Sequence, residues 1–93
     1  MITYIDATDG VHEEQLQGFF SQWGNPPSPQ AILRILQGSD YIVLARDDET
    51  GVIIGYVTAI SDGVSCAYIP HLEVRTDWRA RGIGSELMRR LLE

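Results

Sequence analysis

Lysine is absent from these 93 residues, cysteine occurs once, and no apolar run is long. Each absence excludes something. Without lysine, all seven permanently charged cations are arginine, so cationic sites here are planar, forked donors rather than point charges. The single thiol, Cys66, cannot close an internal disulfide, and no metal site assembles around it with any usual spacing. Such cysteine usage fits a reducing cytoplasm. No stretch approaches the ~18 apolar residues of a membrane span. The opening "MITYIDATDG" has no basic segment ahead of an apolar one, so it does not read as a secretory leader.

What is present suits one small globular domain, 44% hydrophobic and 22% charged. A chain of this size buries ~60–65% of its unfolded surface, enough for one compact core. The formal net charge is −6, which makes the chain a poor nonspecific binder of nucleic acid and suits a cationic partner. Positive charge is uneven, however. Arg75, Arg79, Arg81, Arg89 and Arg90 all fall between positions 75 and 93. An acidic body carries a basic corner.

Hydrophobic periodicity sets the element order. Residues 2–7 alternate as a short strand. Leu16, Phe19, Phe20 and Trp23 have helical spacing, with Asp9 as N-cap and a stop at 24–27. Ser28-Pro29 opens a second helix, which buries Ile32, Leu33, Ile35 and Leu36 and stops at Gly38. Residues 41–46 and 52–61 form an antiparallel hairpin about the turn 47–51. A further strand covers 64–74, with a bulge or unpaired edge at Pro70. From Gly82 onward, Ile83, Leu87, Met88, Leu91 and Leu92 keep helical spacing. The order β-α-α-β-β-β-α implies an α+β fold with helices on a mostly antiparallel sheet.

The corner "RARGIGS", residues 79–85, carries the chemistry. The first amides of a helix have no intrahelical partner and carry the positive end of its dipole. Glycines clear side chains from those donors, and flanking arginines add charge. The result is a seat for a phosphate or diphosphate. A P-loop needs lysine then serine or threonine after its second glycine, and Ser85-Glu86 stands there. A dinucleotide fingerprint needs a third glycine or alanine where Leu87 stands.

Arg79-Ala80-Arg81-Gly82-Ile83-Gly84 does resemble the Gln/Arg-x-x-Gly-x-Gly/Ala signature of the GNAT superfamily of N-acetyltransferases. The strand end "LEV", the loop and the helix-opening signature follow that family's order, as does the hairpin "YIVLARDDETGVIIGYVTAIS" before them. The resemblance implies acetyl transfer from acetyl-CoA to a primary amine of a small molecule or peptide, by direct attack. It implies that Leu72, Glu73 and Val74 pair with the pantetheine arm. It also implies that Arg79, Ala80, Arg81, Gly82, Ile83, Gly84 and Ser85 seat the pyrophosphate. A domain that holds CoA or a protein partner without turnover is the alternative.

Two residues of the strand 64–74 are catalytic candidates, Glu73 and Tyr68. Glu73 can take the amine proton, or can be a solvent-facing partner of an arginine. Tyr68 is a poor base at neutral pH and serves better as an aromatic lining the acceptor side. His71 titrates in the useful range but should point away from Leu72. Cys66 reads as a small buried filler. The segment 23–28 is a further candidate for acceptor contact. Members of the family usually continue with another strand, helix and strand pair, whereas this sequence ends at Glu93. It reads either as a fragment or as a short form completed by a partner. The strand 64–74 would then be a sheet edge, which invites homodimerisation.

Overall fold

The computed structural model of the chain describes residues 1–19, 24–25 and 27–92. Four strands form one antiparallel sheet in the order β1-β2-β3-β4. They are β1 (Ile2–Ile5), β2 (Tyr41–Asp47), β3 (Ile53–Ser61) and β4 (Ala67–Val74). Helices α1 (Pro29–Gly38) and α2 (Ile83–Leu91) cover opposite faces. The central strands carry near-continuous apolar runs because both their faces are buried. On one face Ile42, Leu44 and Tyr56 pack with Ile32 and Leu36 of α1. On the other, Val43, Ala45 and Val57 pack with Ile83 and Leu87 of α2.

Local signals account for most boundaries. The Ser28 hydroxyl accepts from the Ala31 amide at 3.1 Å, with Pro29 opening α1 behind that cap. Asp47 organises the hairpin turn, accepting from the Thr50 hydroxyl at 2.8 Å, and Gly51 takes φ +76°. β4 is bulged where a proline demands it. Thr58 pairs with His71 but Ile60 pairs with Tyr68, so β4 carries one extra residue around Pro70. A second bulge lies in β3, since Ala45 pairs with Gly55 and Arg46 with Ile53.

Three expectations need correction. The helix expected from residue 11 is a single 3-10 turn, Glu13–Leu16, entered at His12 rather than Asp9. Gln17 is extended and Gly18 takes φ +87°, a left-handed conformation that ends the turn. The Arg75 guanidinium fills the space a Gly18 side chain would need, at 2.8 Å. Leu16 and Phe19 are nonetheless buried in the core. Phe20, Trp23, Pro26 and Glu93 lie outside the described residues. Next, β4 begins at Ala67 rather than at 64, because Asp62 holds a turn ahead of it. The Asp62 carboxylate accepts from the Ser65 hydroxyl at 2.6 Å and from the amides of Val64 and Ser65 at 2.9 Å. Those bonds, the hydroxyl first, hold the Asp62 carboxyl well below its ordinary range. Finally, Cys66 is exposed in that turn and fills no core.

Candidate cofactor and acceptor site

β4 reaches α2 through one further 3-10 turn, Thr76–Trp78. The chain then bends twice through left-handed backbone, at Ala80 (φ +65°) and Gly82 (φ +79°). Ala80 is the one residue other than glycine with positive φ among the described residues. An L-residue held there costs roughly 1–2 kcal/mol, and such strain gathers at functional loops.

The strained bend delivers an uncapped helix. Gly82 occupies the N-cap of α2 and offers no side chain, so the first helical bond is Glu86 N–H to the Gly82 carbonyl, 3.1 Å. The amides of Ile83, Gly84 and Ser85 have no partner among the described residues, whereas α1 is capped by Ser28. They open onto a groove of about 450 Å³ lined by residues 72–74, 78–80 and 82–85. Every residue expected at the cofactor seat lines it except Arg81, and Trp78 joins them. Arg81 stands over the Trp78 ring instead, its guanidinium carbon 4.7 Å from the centroid.

Which arginines are available is decided by pairing. Arg75 pairs with Asp77 at 3.2 Å, and Arg89 and Arg90 both pair with Glu86 at 2.6 Å. These bonds, Arg89 first, pull the Glu86 carboxyl down to about 2. Arg79 and Arg81 make no ion pair among the described residues. Arg79 donates its Nε–H to the Val74 carbonyl at 3.2 Å, which fixes the loop to β4. Of the five clustered arginines, Arg79 is the one that lines the groove.

The glycines divide the work. A β-carbon on Gly82 would meet nothing within 4 Å, so this glycine is needed for its backbone angle. A β-carbon on Gly84 would project towards Val74 Cγ2 at 3.9 Å, across the groove. An alanine there has ordinary van der Waals room, and only a longer side chain would enter the seat. An elongated anion with an extended arm fits this shape: its charge at the amides, its arm along β4.

Glu73 lines the same groove and faces Tyr56 across the sheet. Burial pushes its carboxyl up, partly offset by His71 and Arg79. His71 lies two pairs further along, on the same face and opposite Thr58, and its ring centroid is 6.5 Å from that of Tyr56. As alternation required, His71 and Leu72 belong to opposite faces, since Leu72 pairs with Val57. Tyr68 is not brought to the groove. It stands beyond the Pro70 bulge and is 67% exposed. Of the acceptor candidates at 23–28, Trp23 and Pro26 lie outside the described residues.

Sequence reasoning missed Trp78, Tyr56 and Thr58. The last two were legible as the polar positions of an otherwise apolar strand, two apart and hence on one face. Among the described residues no cluster of His, Cys, Asp and Glu is arranged to hold a metal ion. No described helix is long and apolar enough to cross a membrane.

Residues 8–93 match the model of the acetyltransferase (GNAT) family, and the chain belongs to that family. It is 28% identical over 88 residues to the chloroplastic GCN5-related N-acetyltransferase 1 of Arabidopsis thaliana, spanning 94% of this chain and 45% of that protein. A candidate acetyltransferase from Deinococcus radiodurans R1 superposes with a TM-score of 0.89 at 49% identity, over 96% of this chain and 62% of that one. A GNAT-family acetyltransferase from Streptococcus pneumoniae TIGR4 superposes with a TM-score of 0.71 at 28% identity, over 99% of this chain and 66% of that one. The chain thus spans about half the length of the curated relative and under two thirds of the Deinococcus protein.

Proposed function

We propose that this chain is the acetyl-CoA-binding part of an N-acetyltransferase acting on a primary amine. The observation that carries the reading is the uncapped start of α2, opening onto a groove that runs along β4 and is lined by Arg79. Acetyl-CoA supplies the activated thioester. The amides at 83–85 and the charge of Arg79 and Arg81 hold its diphosphate. The main chain at 72–74 takes the amide-bearing arm as an added strand. Glu73 would take one proton from the protonated amine; the neutral nitrogen would then attack the thioester carbon, the C–N bond forming as the C–S bond breaks, and the remaining proton would leave with the CoA thiol. A carboxyl raised towards neutrality is a better base than an ordinary one. The acidic body attracts a protonated amine, whether small molecule or peptide. The compartment that suits an exposed lone thiol is the reducing cytoplasm.

Titration calorimetry with CoA tests the binding half of the reading. Wild type should bind. Gly84→Ala should bind with little loss, because its β-carbon has ordinary van der Waals room. Gly84→Glu should abolish binding, because a carboxylate then occupies the anion seat. Undiminished affinity in Gly84→Glu defeats the proposal. Thiol release from acetyl-CoA in the presence of amines tests turnover, and binding without release would leave a CoA-holding domain.

A further inference from the structure

The face of the sheet beneath α1 holds two hydroxyls that the acetyl-transfer reading leaves unused. Tyr56 and Thr58 are both 0% exposed, and Tyr56 Oη and Thr58 Oγ1 have no hydrogen-bond partner among the described residues. Burying a hydroxyl without a partner costs about 1–3 kcal/mol, so each such group in a folded protein needs a reason. A phenylalanine and a valine would fill the same volumes at no such cost. The register supplies the reason. Tyr56 stands opposite Glu73, and Thr58 opposite His71. All four side chains share one face. A buried water needs roughly 2–4 polar partners, and this face offers them.

We propose that Tyr56 is a positioning residue for Glu73: its hydroxyl, with that of Thr58, holds a buried water that donates to the Glu73 carboxylate and fixes it towards the groove. The inference rests on Glu73 as the proton acceptor but concerns residues on the neighbouring strand. The surroundings suit it. His71, from its own strand, and Arg79, from the following loop, act on Glu73, and Glu73 in turn acts on Tyr56 of β3. Arg75, just after β4, is turned against Gly18 and paired to Asp77. The groups buried with Tyr56 from the elements above it are apolar: Leu16, Phe19, Ile32 and Leu36. Phe19 meets the Tyr56 ring edge-on at 5.0 Å and leaves it little freedom to turn. Burial, reinforced by Glu73, pushes the Tyr56 phenol well above its ordinary value, so it stays a neutral donor at working pH.

The test is the Glu73 carboxyl titration, followed by carbon NMR in wild type and in Tyr56→Phe. Loss of a donor to the carboxylate disfavours its charged form, so the Glu73 pKa should rise by about half a unit or more in the variant. CoA affinity should stay within about twofold, and kcat should fall about threefold to tenfold at unchanged KM for acetyl-CoA. An unchanged Glu73 titration in folded Tyr56→Phe overturns the proposal. Should Tyr56→Phe fail to fold, Thr58→Val reads the same shift and is judged by the same criterion. A shifted titration in a protein that transfers no acetyl group would defeat the acetyltransferase reading and leave this one standing.

Discussion

Gly82 and Gly84 stand two residues apart and differ in what they tolerate. Gly82 supplies a left-handed angle, whereas Gly84 faces Val74 across space that admits a β-carbon but not a long side chain. Their spacing is visible in the sequence, but this division is not, because it depends on where Val74 lies. Glu73 shows the same dependence. Its place next to the signature loop marks it as a candidate, but its raised pKa arises from burial against the sheet. The consequence for stability has a definite sign. The folded protein binds the Glu73 proton more tightly than the unfolded chain does, so stability falls as pH rises through the window above the ordinary glutamate value of 4.5. The deficit persists above the raised pKa. Glu73→Gln should therefore match wild type in thermal melts below that ordinary value and be the more stable protein at neutral pH, while losing acetyl transfer. A Glu73→Gln protein less stable than wild type at neutral pH would contradict the assignment. A site residue that costs stability is the expected trade.

Helix α2 owes its position to a glycine in another element. A β-carbon on Gly55 would lie 3.2 Å from Leu87 Cδ1 and 3.3 Å from both Ile83 Cγ2 and the Glu73 carbonyl. Gly55 thus lets the helix settle close to the sheet, which sets the distance between its N-terminus and β4, and so the width of the groove. Gly55→Val should destabilise the fold by about 1–3 kcal/mol through overpacking, read as a lowered urea midpoint, and should weaken CoA binding as α2 moves outward. Full affinity in a folded Gly55→Val protein would show that the groove does not depend on this contact. The elements differ in how readily they can be read. α1 is legible because its cap, its proline and its apolar stripe agree. The Pro70 bulge is legible because proline lacks the ladder donor. The turn Glu13–Leu16 misleads, because Leu16 and Phe19 have helical spacing and are buried, yet a left-handed Gly18 breaks the helix between them. Burial fixes which residues point inward and leaves open which backbone carries them.

At the scale of the molecule, β4 is the outer strand on the cofactor side, with nothing paired beyond it among the described residues. An edge that also carries Tyr68 and Leu72, 67% and 43% exposed, is open to pairing with a second copy. Light scattering across a concentration series should show a dimer of this chain, and Leu72→Lys on the exposed edge should shift it towards monomer. A monomer at every concentration would remove the expectation. The element order from the second helix onward, the antiparallel hairpin and the tight glycine corner at 79–85 were legible in the amino-acid sequence alone, because they rest on local chemistry: periodicity, turn residues, caps and glycine spacing. Tertiary structure decided the rest. It spent three of the five clustered arginines on carboxylates, left Arg79 on the groove and laid Arg81 over the Trp78 ring. It moved Cys66 to the surface, set Tyr68 apart from Glu73, and placed two unpartnered hydroxyls of β3 on the face of Glu73. Those outcomes depend on which side chains meet across strands distant in the chain, and no window of sequence contains that information.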